Sequence, residues 1–272
     1  MVVFSRRRVV VRLSNVFYGW FVKLAAIQYR PPKGKPHQAR EALKGLISRA
    51  GDLGAKLIVC PEMATTGYVW EAKDDLLPHA ENRSGPTYEM VAPLAIKHHA
   101  WIVCGFAERC GDSLYNASMV VGPSGRLVAC YRKVFLYETD VSWATPGDER
   151  MVISTDFGGM TVGICMDIND PDFLHHLHGS DAKVFSFCTN WIDEGVEVHP
   201  YWRWRLSGWD GWTVAANSWG EDGDVTFSGC SAVLSPAGRV LAACGRTGDD
   251  VVVAETSPDF LDIASASGVL RP

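Results

Sequence analysis

Three absences limit what this 272-residue chain can be. It has no uncharged apolar run of about 20 residues, the length that a membrane-spanning helix requires, so we predict no such helix. Its eight cysteines form no Cys-x-x-Cys pair and no dense framework, which excludes a disulfide-stapled mini-protein and favours reduced thiols in a cytoplasmic protein. A GxGxxG sequence and a phosphate-binding lysine loop are also missing, so nothing predicts dependence on a nucleotide.

Acidic residues are missing from the first 40 positions, which carry nine lysines and arginines. The remaining chain has seventeen basic and thirty-one acidic residues, so its body is acidic. The segment 5–12 (SRRRVVVR) is too interrupted by arginine for the apolar core of a secretory signal. Because periodic patterning begins only at Val22, we predict an N-terminal extension of uncertain order over residues 1–21 and one domain over 22–272.

Short buried strands alternate with amphipathic helices along this domain. The predicted strands cover 22–28, 57–60, 101–108, 118–122, 127–131, 160–165, 183–188 and 213–217, with a hairpin over 228–241. The predicted helices cover 36–51, 87–98, 173–178 and 202–212. Hairpins mixed with helical crossovers predict an α/β fold in which helices cover the sheets, rather than a purely parallel wound sheet.

Three reactive side chains follow the ends of predicted strands. Glu62 comes two residues after the strand LIVC, Lys133 two residues after LVACY, and Cys165 ends MTVGIC. In α/β folds, sites form at the carboxyl ends of strands. A carboxylate, an ammonium and a thiol that meet there suffice for covalent acyl transfer, because the carboxylate moves the thiol proton and the ammonium lowers the thiol pKa and stabilises an oxyanion.

The sequence motifs around these residues resemble those of the carbon-nitrogen hydrolase (nitrilase) superfamily. The resemblance rests on CPEMATTGY at 60–68, YRKVFLYETD at 131–140 with TPGDE at 145–149, and VGICMDIN at 162–169 with FCTNW at 187–191. It extends from AIQY at 26–29 to GCSAVLSPAGRVLA at 229–242. Within the superfamily, KVFLYETDVSW and CMDIN look most like the protein N-terminal asparagine/glutamine amidohydrolases.

The resemblance implies a fold, an assembly and three catalytic roles. The fold would be a four-layer α-β-β-α sandwich, assembled as a homodimer or a higher homo-oligomer, with no metal or organic cofactor. Cys165 would be the nucleophile and Glu62 the general base that later protonates ammonia and activates water. Lys133 and the backbone N–H of Met166 would hold the tetrahedral oxyanion.

Further residues would support this site. Relatives often have a fourth acid seven or eight residues beyond the lysine, and Asp140 is better placed for it here than Glu138. Because relatives often have glutamate at that position, the shorter aspartate leaves its contribution open. Asn190 and Trp191 would line the pocket, and Tyr68 would support the loop that carries Glu62.

The implied reaction is hydrolysis of a carboxamide through a cysteine thioester, with release of ammonia from an N-terminal Asn or Gln or from a small amide. The alternatives are a nitrilase or an N-carbamoyl amide hydrolase with the same triad, and a catalytically silent interaction module. Nitrilases often have Trp-Glu after the nucleophile, whereas this chain has Met166 and Asp167. Asp167 or Asp170 would then recognise a free α-amino group, or would only cap the following helical turn.

Two other patterns carry weaker signals. The run HHLH at 175–178 lacks a following carboxylate at the spacing of HExxH, so a solvated helix face is favoured over a metal site. The segment 201–212 (YWRWRLSGWDGW) interleaves arginine with aromatic residues, as single-stranded nucleic-acid binders do. Two arginines in an acidic body make a weak electrostatic footprint, so we expect neither a nucleic-acid nor a membrane partner.

Overall fold

Two six-stranded sheets form the centre of the protein in a computed structural model, which describes residues 21–256. Residues 1–20 of the predicted extension therefore lie outside the described residues. The first sheet contains, in spatial order, β14 (Asp250–Glu255), β1 (Lys23–Gln28), β2 (Leu57–Val59), β3 (Trp101–Cys110), β4 (Ser113–Val121) and β5 (Leu127–Arg132). The second contains β13 (Val240–Ala243), β12 (Ala232–Leu234), β9 (Trp212–Asn217), β8 (Ala182–Thr189), β7 (Gly158–Ile164) and β6 (Val152–Thr155). A separate hairpin consists of β10 (Trp219–Asp222) and β11 (Val225–Ser228).

Helices cover the outer face of each sheet. On the first sheet lie α1 (Pro36–Asp52) and α3 (Pro86–His98), and on the second lie α4 (Pro171–Gly179) and α5 (Val198–Arg205). The single turn α2 (Lys73–Leu76) and three 3₁₀ helices, Leu77–His79, Asp140–Ser142 and Cys165–Asn169, lie in the connections. Within the part of the chain that the structure describes, no helix is long and apolar enough to cross a membrane.

The strand sequences explain the layers, because successive side chains of a strand point to opposite faces. In β1, Ala25 and Ile27 pack into the core beneath α1 and α3, whereas Leu24 and Ala26 pack into the core between the sheets. The same division holds in β8, where the phenylalanines face the helices α4 and α5. Strands that are buried on both faces have continuous apolar sequences, as these do. The predicted α-β-β-α sandwich is confirmed.

One predicted helix is wrong in position. The pattern at 202–212 predicts a helix there, but α5 ends at Arg205 and Trp212 already belongs to β9. A helix could not continue to residue 212 through Gly208, because its φ of +84° lies in the left-handed region, which an α-helix does not use. The interleaved aromatic and arginine residues are therefore divided between a helix, a turn and a strand.

Several elements lie where no strand or helix is predicted: α2, β6, the β10–β11 hairpin and β14. Strand β4 also begins at Ser113, inside a segment that reads as a turn. The strand β14 pairs antiparallel with all six residues of β1 and so completes one edge of the first sheet. Its apolar run VVVA is the only local signal for it, and a run of four residues is too short to separate a strand from a loop.

The end of β5, next to the predicted lysine, is held by a buried carboxylate. Glu108 of β3 is 1% exposed and accepts hydrogen bonds from Arg132 Nε at 2.7 Å and from Arg83 Nη2 at 2.8 Å. Burial raises the pKa of the Glu108 carboxyl, but the hydrogen bonds and charges of the two arginines outweigh burial and hold the pKa below its usual value.

We expect Glu108→Gln to lower the free energy of unfolding at pH 7 by about 1–2 kcal/mol, the usual cost of losing a charged hydrogen-bond partner. A lowered folded-state pKa gives stability that is present above the ordinary glutamate pKa and is lost as pH falls through the folded value. Urea unfolding of both proteins between pH 7 and pH 3 should therefore show a gap that narrows as pH falls. A gap that stays constant over this range would contradict this role of Glu108.

Candidate active site

The loop that carries Glu62 is held tightly against β3. The N–H of Cys60 donates to Val103 O at 2.8 Å, and the N–H of Ala64 donates to Gly105 O at 3.1 Å. A Cβ on Gly105 would lie 2.3 Å from the carbonyl oxygen of Pro61 and 2.8 Å from Glu62 Cα. Glycine at position 105 thus allows the close backbone approach that fixes Glu62.

Lys133 is positioned by the neighbouring strand β4. Its backbone N–H donates to Asn116 O at 2.8 Å, which extends the β4–β5 pairing by one residue. The side chain of Asn116 then reaches across the site, where its Nδ2 donates to Glu62 Oε1 at 2.7 Å and lies 3.3 Å from Asp140 Oδ1. Asn116 was not predicted, because a buried polar residue within a strand has no local signature.

The side chains of Glu62, Lys133 and Asp140 form one buried cluster. Lys133 Nζ lies 2.8 Å from Glu62 Oε1 and 2.5 Å from Asp140 Oδ2, and all three residues have 0% exposure. Aspartate at 140 is therefore long enough to reach the lysine, whereas Glu138 is exposed. Tyr68 covers the cluster, with Lys133 Nζ 5.6 Å from its ring centroid.

Opposing effects set the protonation of this cluster. Burial lowers the pKa of Lys133, but the Asp140 and Glu62 carboxylates raise it well above its ordinary value, so the lysine is an ammonium ion. Burial raises the pKa of Glu62, and the Lys133 charge only partly offsets this. The oxygen Glu62 Oε2 is buried and has no hydrogen-bond partner among residues 21–256.

Cys165 lies at a sharp turn between β7 and a 3₁₀ helix. Its φ of +43° is in the left-handed region, which non-glycine residues adopt rarely and mostly at constrained functional positions. The side chain is 7% exposed and lines a cavity. Burial and then the Glu62 charge raise the pKa of the Cys165 thiol to about 12, and the Lys133 charge does not compensate. The ammonium lowers this pKa as predicted, but burial and the Glu62 charge outweigh it, so the net shift favours the protonated thiol.

Asp167 connects the lysine segment to the cysteine turn. Its Oδ1 accepts from the N–H groups of Val134 and Phe135 at 3.2 and 2.9 Å, and its Oδ2 accepts from Tyr131 OH at 2.7 Å and Ile164 N at 2.8 Å. These four donors use the acceptor sites of a carboxylate. Asp167 is 0% exposed and does not line the cavity, so it is not placed to recognise an α-amino group. Its contacts are with preceding residues, including Ile164 at the start of its own 3₁₀ helix, so the alternative that it caps the following turn is not correct either.

Asp170 is also occupied by structural contacts. Its Oδ1 accepts from the N–H of Asp172 at 3.1 Å and so caps α4, and its Oδ2 lies 2.5 Å from Arg150 Nη2. Like Asp167, it is absent from the cavity wall. The two aspartates predicted to recognise an α-amino group thus have structural roles.

We expect Asp167→Asn to lower stability by about 2 kcal/mol, because an amide nitrogen cannot accept the N–H and O–H donors that it would face. Since the lysine segment and the cysteine turn would both shift, kcat should fall about 10- to 100-fold. The ratio of KM for amides with and without a free α-amino group should not change. Asp170→Asn is the matched control and should lower stability while changing kcat little. If Asp167→Asn instead raised KM only for substrates with a free α-amino group, the structural role of Asp167 would be contradicted.

The cavity above Cys165 has a volume of about 240 Å³. Five residues predicted for the site line it: Tyr68, Cys165, Met166, Asn190 and Trp191. Asn190 also ties the glutamate loop to β8, since its Nδ2 donates to the backbone oxygen of Glu62 at 3.0 Å. The remaining wall was not predicted: Tyr137, Asn169, Ile192, Glu194, Val196, Val198 and Tyr201.

Most of these missed residues lie in loops and helix ends that meet only after folding. Tyr137 follows the lysine by four positions, so its place in a motif was the one signal that could have found it. Tyr201 of α5 donates through its OH to Asn169 Oδ1 at 2.8 Å and packs against Trp191 with ring centroids 5.3 Å apart. Among the described residues, no group of three His, Cys, Asp or Glu side chains could hold a metal ion.

Comparison with known proteins identifies the class to which this fold and site belong. The family model for carbon-nitrogen hydrolases matches residues 23–262, so the chain belongs to the carbon-nitrogen hydrolase family. It is a hydrolase that acts on carbon–nitrogen bonds, and the resemblance seen in its motifs is confirmed.

Individual relatives carry different names. A nitrilase from Pyrococcus abyssi is 33% identical over 238 residues, which cover 86% of this chain and 89% of that protein. A protein N-terminal amidase from Schizosaccharomyces pombe is 28% identical over 261 residues, which cover 78% of this chain and 91% of the relative. Among solved structures, Saccharomyces cerevisiae Nit3, a member of branch 10 of the nitrilase superfamily, matches with a TM-score of 0.81 at 22% identity over 92% of this chain and 96% of its own.

Proposed function

We propose that this protein is an amidase that hydrolyses a carboxamide through a thioester on Cys165 and releases ammonia. The observation that carries the proposal is one arrangement: a cysteine in a strained turn at a cavity wall, near enough to a buried Glu62–Lys133–Asp140 cluster for the charges of Glu62 and Lys133 to act on its thiol. Burying two carboxylates and one ammonium costs desolvation energy, so a contribution to stability alone does not explain this cluster. A catalytic role does.

In the first half-reaction, the Cys165 sulfur forms a bond to the amide carbon while its proton passes to Glu62. A base is needed because the thiol pKa is about 12. Glu62 suits this task, since burial brings its pKa closer to neutral than that of an ordinary carboxylate and Oε2 has no other partner among residues 21–256. The electron pair of the carbonyl moves to oxygen, where Lys133 and the backbone N–H of Met166 stabilise the charge.

The C–N bond then breaks, and nitrogen leaves as ammonia with the proton that Glu62 holds. In the second half-reaction, water adds to the thioester carbon and gives its proton to Glu62. The C–S bond breaks, and the proton returns to sulfur. The net change is amide and water to carboxylic acid and ammonia, and Asp140 keeps Lys133 charged and in place throughout.

For the substrate, we propose the side-chain amide of an N-terminal Asn or Gln. Support comes first from the sequence motifs around Lys133 and Cys165. It comes also from two relatives named protein N-terminal amidase, one from Schizosaccharomyces pombe at 28% identity and one from Saccharomyces cerevisiae at 26%. A nitrile substrate is the second candidate, because the Pyrococcus abyssi relative is named a nitrilase. Assembly as a homodimer and a cytoplasmic location stay predictions.

Ammonia release from a substrate panel tests this proposal. The panel contains Asn and Gln peptides with free N-termini, a short aliphatic amide, an ω-amide of a dicarboxylic acid, an N-carbamoyl amino acid and an aryl nitrile, each beside Cys165→Ala. We expect turnover of the Asn or Gln peptides that the variant loses. Turnover of the nitrile alone would replace the amidase by a nitrilase, and silence with every substrate would favour a module without catalysis.

A further inference from the structure

We infer that Glu194, at the mouth of the cavity above Cys165, binds the α-ammonium group of the substrate and thereby determines specificity for a free N-terminus. The inference rests on the proposed amidase function and deepens it. It gives Glu194 the role that Asp167 and Asp170 cannot fill, because the oxygens of both aspartates are taken by structural partners.

The segment that carries Glu194 is fixed on both sides. The N–H of Trp191 donates to Asn217 Oδ1 at 2.8 Å, and the N–H of Asp193 donates to Thr226 O at 2.7 Å. The Asp193 carboxylate accepts from the N–H of Gly195 at 3.0 Å and forms an ion pair with Arg246. These contacts anchor the backbone before Glu194 and the turn that follows it.

The two neighbouring acids differ in their partners. Asp193 is neutralised by Arg246, whereas Glu194 has no ion-pair partner in the part of the chain that the structure describes. Glu194 lines the cavity and is exposed, so its carboxylate is available to a ligand. An unpaired carboxylate at a cavity that contains a candidate nucleophile favours a cationic ligand group.

The rest of the described cavity wall also favours a cationic ligand group. It contains no lysine, arginine or histidine, and four of its residues are aromatic: Tyr68, Tyr137, Trp191 and Tyr201. An ammonium group would meet a carboxylate and aromatic rings, both of which attract it. A substrate carboxylate would meet Glu194 without a compensating cation. The wall thus disfavours ω-amides of dicarboxylic acids.

Cys165 and Glu194 line the same cavity, as an Asn or Gln substrate with its amide at one residue and its ammonium group at the other would require. Tyr137 lines this cavity with them, and burial first, and then the charges of Glu138, Glu194 and Cys165, raise its pKa. The amide carbon is separated from the α-nitrogen by three bonds in Asn and by four in Gln. With that carbon at Cys165, the ammonium group would lie in the cavity that Glu194 lines, and the peptide would leave past Val196, which lines the same cavity and is 59% exposed.

The test compares selectivity rather than activity alone. Its substrates are the Asn-Ala dipeptide, its N-acetyl derivative, propionamide and the anionic monoamide succinamate. Its proteins are the wild type, Glu194→Gln, Glu194→Arg and the control Glu197→Gln, which removes an exposed carboxylate three positions away and outside the cavity wall. The readouts are kcat and KM for ammonia release, with thermal unfolding to show that each variant is folded.

We expect Glu194→Gln to reduce the preference for the free over the acetylated dipeptide, measured as the ratio of their kcat/KM values, about five- to tenfold. The change should lie mainly in KM, because the lost interaction is a partly exposed ionic contact. Glu194→Arg should lose more of this preference and move selectivity toward succinamate. Glu197→Gln should match the wild type. A wild-type preference that survives both Glu194 variants would overturn the inference.

Two further outcomes separate this inference from the proposed function. Wild-type protein that hydrolyses propionamide or acetylated dipeptide, but does not prefer the free dipeptide, overturns the role of Glu194 and leaves the amidase standing. Wild-type protein that hydrolyses no amide overturns the proposed function, and the inference falls with it.

Discussion

Cys165→Ala should abolish ammonia release, with a loss on the order of 10⁴-fold or more in kcat, because no other group can form the thioester. The fold should survive, since the change removes one buried sulfur atom and alanine meets the same backbone strain at φ +43° as cysteine. We expect the free energy of unfolding to change by about 1 kcal/mol or less, as for the loss of one small buried group. The measurement is kcat together with urea unfolding.

The matched control is Cys188→Ala. Cys188 is also buried, lies on the adjacent strand β8 and pairs in register with Ile164, but it does not line the cavity. Its substitution should cost similar stability and little activity. Residual turnover by Cys165→Ala above a tenth of the wild-type value would rule out a thioester on this residue.

Lys133→Met should damage both stability and catalysis. Removing one ion from a buried pair leaves uncompensated charge and typically costs 3–5 kcal/mol, and here the Glu62 and Asp140 carboxylates are both left without their cation. Loss of an oxyanion donor adds about 3 kcal/mol to the barrier, about 10²-fold in kcat. Lys44→Met on the exposed face of α1 is the control and should change neither property.

The stability deficit of Lys133→Met should depend on pH. Without the ammonium, burial and the Asp140 charge raise the folded-state pKa of Glu62 further above its unfolded value, so the variant gains stability as pH falls and this carboxyl becomes protonated. The triple variant Lys133→Met/Glu62→Gln/Asp140→Asn should recover much of the lost stability at pH 7 and none of the activity. A deficit that is the same at pH 5 and pH 8 would contradict the ionised cluster.

The catalytic candidates could be predicted because each follows an apolar strand by a fixed short interval. Glu62, Lys133 and Cys165 are tied to β2, β5 and β7, so folding the sheets suffices to bring them together. Asp140 could be found in the same way, seven positions beyond the lysine on a short connection. What the sequence could not provide was the protonation of the cysteine, because the desolvation that raises its pKa comes from packing around it.

Specificity residues were harder to predict for a related reason. Asp167 carries a charge next to the nucleophile, which suggested recognition, but its four hydrogen-bond donors come from segments more than 30 residues away or from the preceding turn. Glu194 has no motif of its own and faces the cavity only because Trp191 and Asp193 are anchored to β9 and β11. Local pattern describes strands and helices well and describes such loop positions poorly.

The most direct test of the account is the mass of the enzyme during turnover. Wild-type protein mixed with an Asn peptide and quenched in acid during turnover should carry an adduct equal to the substrate minus ammonia. Proteolysis should map the adduct to the peptide that contains Cys165, hydroxylamine should remove it, and Cys165→Ala should show none. An adduct on a different residue, or turnover by Cys165→Ala at the wild-type rate, would contradict the thioester mechanism.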